Sequence, residues 1–171
     1  MILVAMRTAT PSFAPKAGIR LHVKDAIRDL DNRCPNDRLH DSAEKRSPRI
    51  LELIKKIPHN GGSRLSLGPD SQLRCHQKSD GFKDVYGRMA WNAPAPTLTS
   101  GCVNPSRGRF LHPRENRAIT LREAALLQSF PIDYQFPLSR GKYAAARLIG
   151  NALPPEFIRR LAVEVRGALE H

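Results

Sequence analysis

Four stretches of the chain place apolar side chains at helical spacing. In residues 23–30, Val23, Ala26, Ile27 and Leu30 share one face. Ser47-Pro48 opens a second helix, with serine as N-cap and proline at the first helical position. Ile50, Leu53, Ile54 and Ile57 line its side, Pro58 stops it, and Asn60-Gly61-Gly62 turns the chain. In the third stretch Thr120 caps the first turn, and Glu123 three residues on completes a capping box. Leu121, Ala124, Ala125 and Gln128 fall close to one face there, with Leu127 beside it, and Phe130-Pro131 ends the run. A short helix over 142–149 ends at Gly150. Pro154-Pro155 restarts the chain as a last helix with Phe157, Ile158, Leu161, Ala162, Val165 and Leu169 on its apolar side.

Between these the pattern changes. Residues 2–6 are a continuous apolar run that suits a strand buried on both faces. Residues 8–20 are polar and proline-bearing, and 31–45 are charged surface. Residues 64–77 alternate weakly and predict a strand. Ala93 to Pro96 are rigid and extended, and Thr97 to Thr99 then suit a strand. Residues 104–117 hold Arg107, Arg109, Arg114 and Arg117, with Gly108 allowing close backbone approach. Tyr134 and Phe136 are expected in the core. No internal repeat occurs.

Charge sharpens this picture. The 171 residues carry 28 basic and 16 acidic side chains, a formal +12, with a pI near 10.4. Such a surface suits a polyanion, nucleic acid most simply. Cys34, Cys75 and Cys102 are scattered and make no Cys-x-x-Cys pair, so neither a disulfide framework nor a zinc site is expected. No apolar run is long enough to span a membrane, and the first residues lack a basic leader. The expected setting is cytoplasmic, at the nucleoid when DNA is bound.

Three segments then stand out together. They are the run Tyr86-Gly-Arg-Met-Ala-Trp through Ala93-Pro-Ala-Pro-Thr-Leu-Thr99, the run Arg117-Ala-Ile-Thr-Leu-Arg-Glu-Ala-Ala-Leu-Leu-Gln-Ser-Phe-Pro131, and Gly150-Asn-Ala-Leu-Pro-Pro155. In this order and spacing the chain resembles the C-terminal part of a cytosine-C5 DNA methyltransferase. The last two segments are similar to that family's ninth and tenth motifs, and the match covers at least residues 84–165.

The resemblance implies an α+β arrangement: a small target-recognition lobe over 40–116, flanked by pieces of a Rossmann-like α/β methyltransferase domain. Residues 1–39 would be the end of a catalytic-domain strand with its connecting helix, and 117–171 the ninth- and tenth-motif helices. It also implies S-adenosyl-L-methionine as methyl donor and duplex DNA as substrate. Tyr86, Arg88, Thr97, Leu98, Thr99, Arg107 and Arg109 become DNA-facing candidates, a threonine hydroxyl holding a phosphate beside the extruded base. Asn151 and Ala152 become cofactor-site candidates, although Asn151 also reads as a helix cap after Gly150. Arg122, Glu123 and Gln128 are expected to brace the structure.

Chemistry is the missing part. The family adds a cysteine thiolate from a Pro-Cys dipeptide to cytosine C6, assisted by the glutamate of Glu-Asn-Val. Neither segment occurs here: Cys34 precedes Pro35, and no cysteine follows a proline. The glycine-rich turn of the cofactor site is absent too. The expectation is a fragment or subunit, inactive alone, that works with a second polypeptide carrying the catalytic motifs. A stand-alone DNA-binding module is the alternative. A nuclease ranks last, because no paired carboxylates with a lysine stand out.

Overall fold

A computed structural model of the chain describes residues 18, 20–30, 36–41, 45–68, 73 and 83–170. The apolar run at 2–6, Cys34 and Cys75 lie outside them. Five α-helices are described: α1 (Val23–Ile27), α2 (Pro48–Lys56), α3 (Leu121–Leu127), α4 (Lys142–Asn151) and α5 (Pro155–Leu169).

Helix α3 sits at the centre. Its capping box forms as expected: the Glu123 N–H donates to Thr120 Oγ1 at 3.2 Å, and the Thr120 N–H to Glu123 Oε2 at 2.7 Å. At its other end Ser129 takes a left-handed φ of 65°, and the Phe130 N–H returns to the Ala125 carbonyl at 2.9 Å. Leu121, Ala124 and Ala125 are fully buried, and α3 packs on α1 and α4. Small side chains on both helices (Ala124 and Ala125 against Ala145 and Ala146 in one core) permit a close approach. That core also takes Val23, Leu39, Leu98 and Phe110, so residues far apart in the chain share it. A second, smaller core gathers Leu53, Ile54 and Ile57 of α2 and its exit around Tyr86 and Leu111.

Strand pairing is minimal. Among the described residues it amounts to two isolated bridges, a parallel one between Arg88 and Leu111 and an antiparallel one between Leu111 and Ala118. Four backbone hydrogen bonds hold these three segments side by side, Met89 N–H to Leu111 O (2.9 Å) and Ile119 N–H to Phe110 O (2.9 Å) among them.

Several expectations need correction. Helix α1 stops at Ile27 rather than Leu30, because Arg28 turns extended and Asp29 takes a φ of 57°. Ser47 occupies the N-cap of α2 but makes no side-chain cap bond. Arg64–Ser66, the start of the stretch expected to supply a strand, is a 3-10 turn, capped by Ser63 Oγ accepting the Leu65 N–H; residues 69–72 and 74–77 lie outside the described residues. Among the described residues no strand pairs with 97–99, and the Thr99 carbonyl accepts the Cys102 N–H in a tight turn. Helix α4 runs through Gly150 to Asn151, with Ala152 as its cap residue. Phe136 is buried, whereas Tyr134 is 46% exposed, packing the edge of an aromatic cluster with Phe130 and Phe136. Only Leu161 of α5 is buried; Phe157 and Ile158 stay open, and the helix is tied to α3 at its first turn by the Glu156 N–H on Ser129 Oγ (3.1 Å).

Candidate nucleic-acid interface

Two internal networks hold the surface in place. Arg88 is fully buried. Its guanidinium donates to the carbonyls of Ile54 (2.9 Å) and Ile57 (3.0 Å) at the end of α2, to His112 O (3.0 Å), to Asn116 Oδ1 (2.6 Å), and to Glu115 O. Burial pulls its pKa below the usual arginine value. The cation thus caps the C-terminal end of α2, where the helix dipole favours positive charge, and bolts it to the 112–116 turn.

The second network centres on Glu123, 1% exposed. Arg117 holds both of its carboxylate oxygens at 2.8 Å. Burial pushes the Glu123 carboxyl up, but the Arg117 bonds and charge, His112, and the Thr120 N–H outweigh it and leave it below the ordinary value. The buried ring of His112 accepts the Glu115 N–H (2.9 Å) and the Arg114 N–H (3.3 Å) at Nδ1 and points Nε2 at Glu123 (3.7 Å). With burial and the Arg117 and Arg88 charges nearby, its pKa is lowered. Arg122, also buried, pairs with Asp37 and donates to the Tyr134 carbonyl at 2.8 Å.

Outside this frame lies an open groove of about 550 Å³, lined by Asp84, Val85, Pro96, Thr97, Thr99, Arg107, Gly108, Arg109 and Phe110. It brings four DNA-facing candidates together. Residues 97–99 alternate: Leu98 turns into the core at 7% exposure, and Thr97 and Thr99 face outward. The arginines divide. Arg109 is braced, donating to Gly61 O (3.0 Å), Arg88 O (3.2 Å) and Asp84 Oδ1 (3.1 Å). Arg107 is exposed, and among the described residues nothing pairs its guanidinium; its stem lies across Gly101, where a Cβ would meet Arg107 Cγ at 2.8 Å. Three other candidates do not reach this surface. Arg88 is spent inside, Leu98 is a core anchor, and Tyr86 is buried in the smaller core. The bracing parts played by Asp37, Glu115 and Asn116 carried no motif that spacing alone would expose.

The end of α4 adjoins this groove. Gly150 packs on the backbone of Thr99-Ser100 so closely that a Cβ there would lie 2.0 Å from the Thr99 carbonyl oxygen. Gln128 of α3 donates to the carbonyls of Ile149 (3.2 Å) and Ala152 (3.4 Å), closing the end of the helix. Asn151 is exposed beside it. The single described cysteine, Cys102, is fully buried with its thiol pushed up to about 11 by burial, so it has neither the access nor the ionisation of a nucleophile. Among the described residues no helix is long and apolar enough to cross a membrane.

Comparison with known proteins places these features. A family profile described as C-5 cytosine-specific DNA methylase matches residues 6–166. The type II methylase M.HgiDII of Herpetosiphon aurantiacus is 37% identical over 155 residues, which is 86% of this chain and 44% of that protein. The type II methyltransferase M1.BsuMI of Bacillus subtilis is 37% identical over 141 residues, 81% of this chain and 32% of that protein. The chain therefore spans less than half of either. The type II methyltransferase M.AquIB of a Picosynechococcus strain is 30% identical over 128 residues, 70% of this chain and 81% of that protein, so it is a chain of comparable length.

Proposed function

Since this chain belongs to the C-5 cytosine-specific DNA methylase family, we propose that it is the DNA-recognition part of a type II DNA (cytosine-5-)-methyltransferase. It grips duplex DNA while the methyl group of S-adenosyl-L-methionine is transferred to cytosine C5. The observation that carries this reading is the groove in which Thr97, Thr99, Arg107 and Arg109 meet. Hydroxyls and an unpaired guanidinium on one open wall suit the phosphates that flank a target base. Phosphate contacts fix the register of the duplex so that a base can be extruded towards the catalytic groups.

On this reading the nucleophile is supplied from outside these 171 residues: no Pro-Cys dipeptide occurs in them, and Cys102, the one described cysteine, is buried with its thiol pushed up. A second polypeptide bearing the Pro-Cys and Glu-Asn-Val segments would supply it, and α3 to α5 would complete its α/β domain. The length of M.AquIB, similar to that of this chain, supports a two-chain arrangement. On the same reading Asn151, exposed and with no side-chain hydrogen-bond partner among the described residues, and the neighbouring Ala152 form one wall of the cofactor site. One amide is too few donors for a whole site, so the remainder belongs to the catalytic part. When bound there, the cofactor supplies an electrophilic methyl group.

The test is methyl transfer from labelled S-adenosyl-L-methionine to mixed-sequence duplex DNA. The chain alone should give none, and addition of a polypeptide of this family carrying both missing segments should restore it. Transfer by the chain alone would overturn the proposal. DNA binding without transfer in either case would instead make the chain a non-catalytic binding module.

A further inference from the structure

A second depression, of about 380 Å³, adjoins the groove and shares Thr99 and Arg107 with it; Ser100, Gly101, Asn104 and Tyr143 complete its lining. Its chemistry is one-sided. Thr99 Oγ1 accepts the Gly101 N–H at 3.4 Å, which leaves its own O–H to donate outward. Asn104 Oδ1 accepts from the N–H and hydroxyl of Ser106 (3.1 and 2.9 Å), which leaves the amide NH₂ as a donor. The Ser100 hydroxyl, the Tyr143 phenol and the Arg107 guanidinium have no partners among the described residues, and Tyr143 is 61% exposed. No carboxylate lines the hollow. The larger groove, by contrast, contains Asp84.

A concave surface carrying donors and one unpaired cation, with no competing anion, is built for phosphate oxygens. We propose that this depression is a further DNA-backbone subsite. It holds the phosphate next along the strand from the one seated at Thr97 and Thr99, with Arg107 on the ridge between the two. Tyr143 is its outer contact, reaching in from α4. Two phosphates gripped on either side of one guanidinium fix the direction of the strand as well as its position. The inference rests on the DNA-recognition reading above and extends it to residues that no motif of the recognition segment contains.

The experiment measures binding of the purified full-length chain to a 20-base-pair mixed-sequence duplex across a salt series, for wild type, Tyr143→Phe, Ser100→Ala and Arg107→Ala. Tyr143→Phe removes only an exposed hydroxyl, so its thermal melt should match wild type. Its affinity, and that of Ser100→Ala, should fall roughly tenfold, as expected for a lost hydrogen bond to a charged acceptor. The fall should be equal on unrelated sequences, and the salt slope should not change. Arg107→Ala should lower that slope by about 0.9, the counterion release of one phosphate. If wild type binds and Arg107→Ala weakens it while Tyr143→Phe and Ser100→Ala stay within twofold, the subsite is refuted and the groove reading stands. A loss confined to particular sequences would refute the phosphate assignment. If wild type does not bind duplex DNA, the recognition reading fails and the subsite falls with it.

Discussion

Replacing Arg88 with alanine should unfold the surface it underlies rather than merely weaken its charge. The side chain makes five hydrogen bonds, four of them to main-chain carbonyls. Glu115 and Asn116 are exposed and can turn to water. The carbonyls of Ile54, Ile57 and His112 belong to residues that are 0%, 1% and 4% exposed and cannot readily do so. Each buried acceptor left unmade costs about 1–3 kcal/mol, and the three, being neighbours whose costs do not fully add, come to about 3–5 kcal/mol together. For a protein of this size that lowers the melting midpoint by roughly 6–20 °C. It is a large share of a total stability of about 5–15 kcal/mol. Arg88→Lys should recover little, because three donors on a point charge cannot serve a planar set of carbonyls. Denaturant titration of the three proteins, followed by helical signal, measures the loss directly. The reasoning fails if Arg88→Ala melts within about 1 kcal/mol of wild type and instead reduces the salt slope of DNA binding by about 0.9, the signature of a phosphate contact.

Acid should loosen the same region through His112. Burial lowers its pKa in the fold below the unfolded value of about 6.5; the unfolded chain therefore binds more protons in that window, and stability falls as pH drops through it. The melting midpoint should decline below about pH 6.5, while the depressed carboxyl of Glu123 adds its own loss only below about 4.5. His112→Asn should flatten the first segment, and a wild-type profile that is flat down to about pH 5 would contradict the assignment. Gly150→Ala ordinarily favours a helix by about 1 kcal/mol, but here the new Cβ meets the Thr99 carbonyl. A destabilisation of about 1–3 kcal/mol with weaker DNA binding is expected. A stabilised variant with unchanged affinity would show that the contact does not matter.

The helices were legible because their signals are local. Thr120 and Glu123 lie three residues apart, and Pro48 and Pro58 bracket α2, so boundaries followed from sequence neighbours. Thr97, Leu98 and Thr99 were all expected to face DNA from a strand; Leu98 is instead anchored in the core, and no strand pairs with them among the described residues. The arginines were not legible. Arg88, Arg107 and Arg109 look alike in sequence, yet one is a buried bolt, one has no partner among the described residues and one is braced, because the partners come from α2, the 112–116 turn and the Gly61–Gly62 turn. The structure buries the whole run Tyr86 to Met89, and nothing in its residue types marks the arginine within it as inward-facing. Helix α5 shows the opposite failure. Its apolar stripe reads as a buried face, but no described residue covers most of it.

Arg88 also bears on how such a lobe can change. A sheet is intolerant of length changes, because a slip of one residue turns every side chain to the wrong face. Here, among the described residues, strand pairing amounts to two isolated bridges, and Arg88 fastens α2 to the 112–116 turn through side-chain bonds to main-chain carbonyls. Loops between the bolted points can be lengthened or exchanged at little more than their closure entropy, about 0.6 kcal/mol per doubling. A surface hung on such a fastening can change its loops while the helices beneath it keep their places.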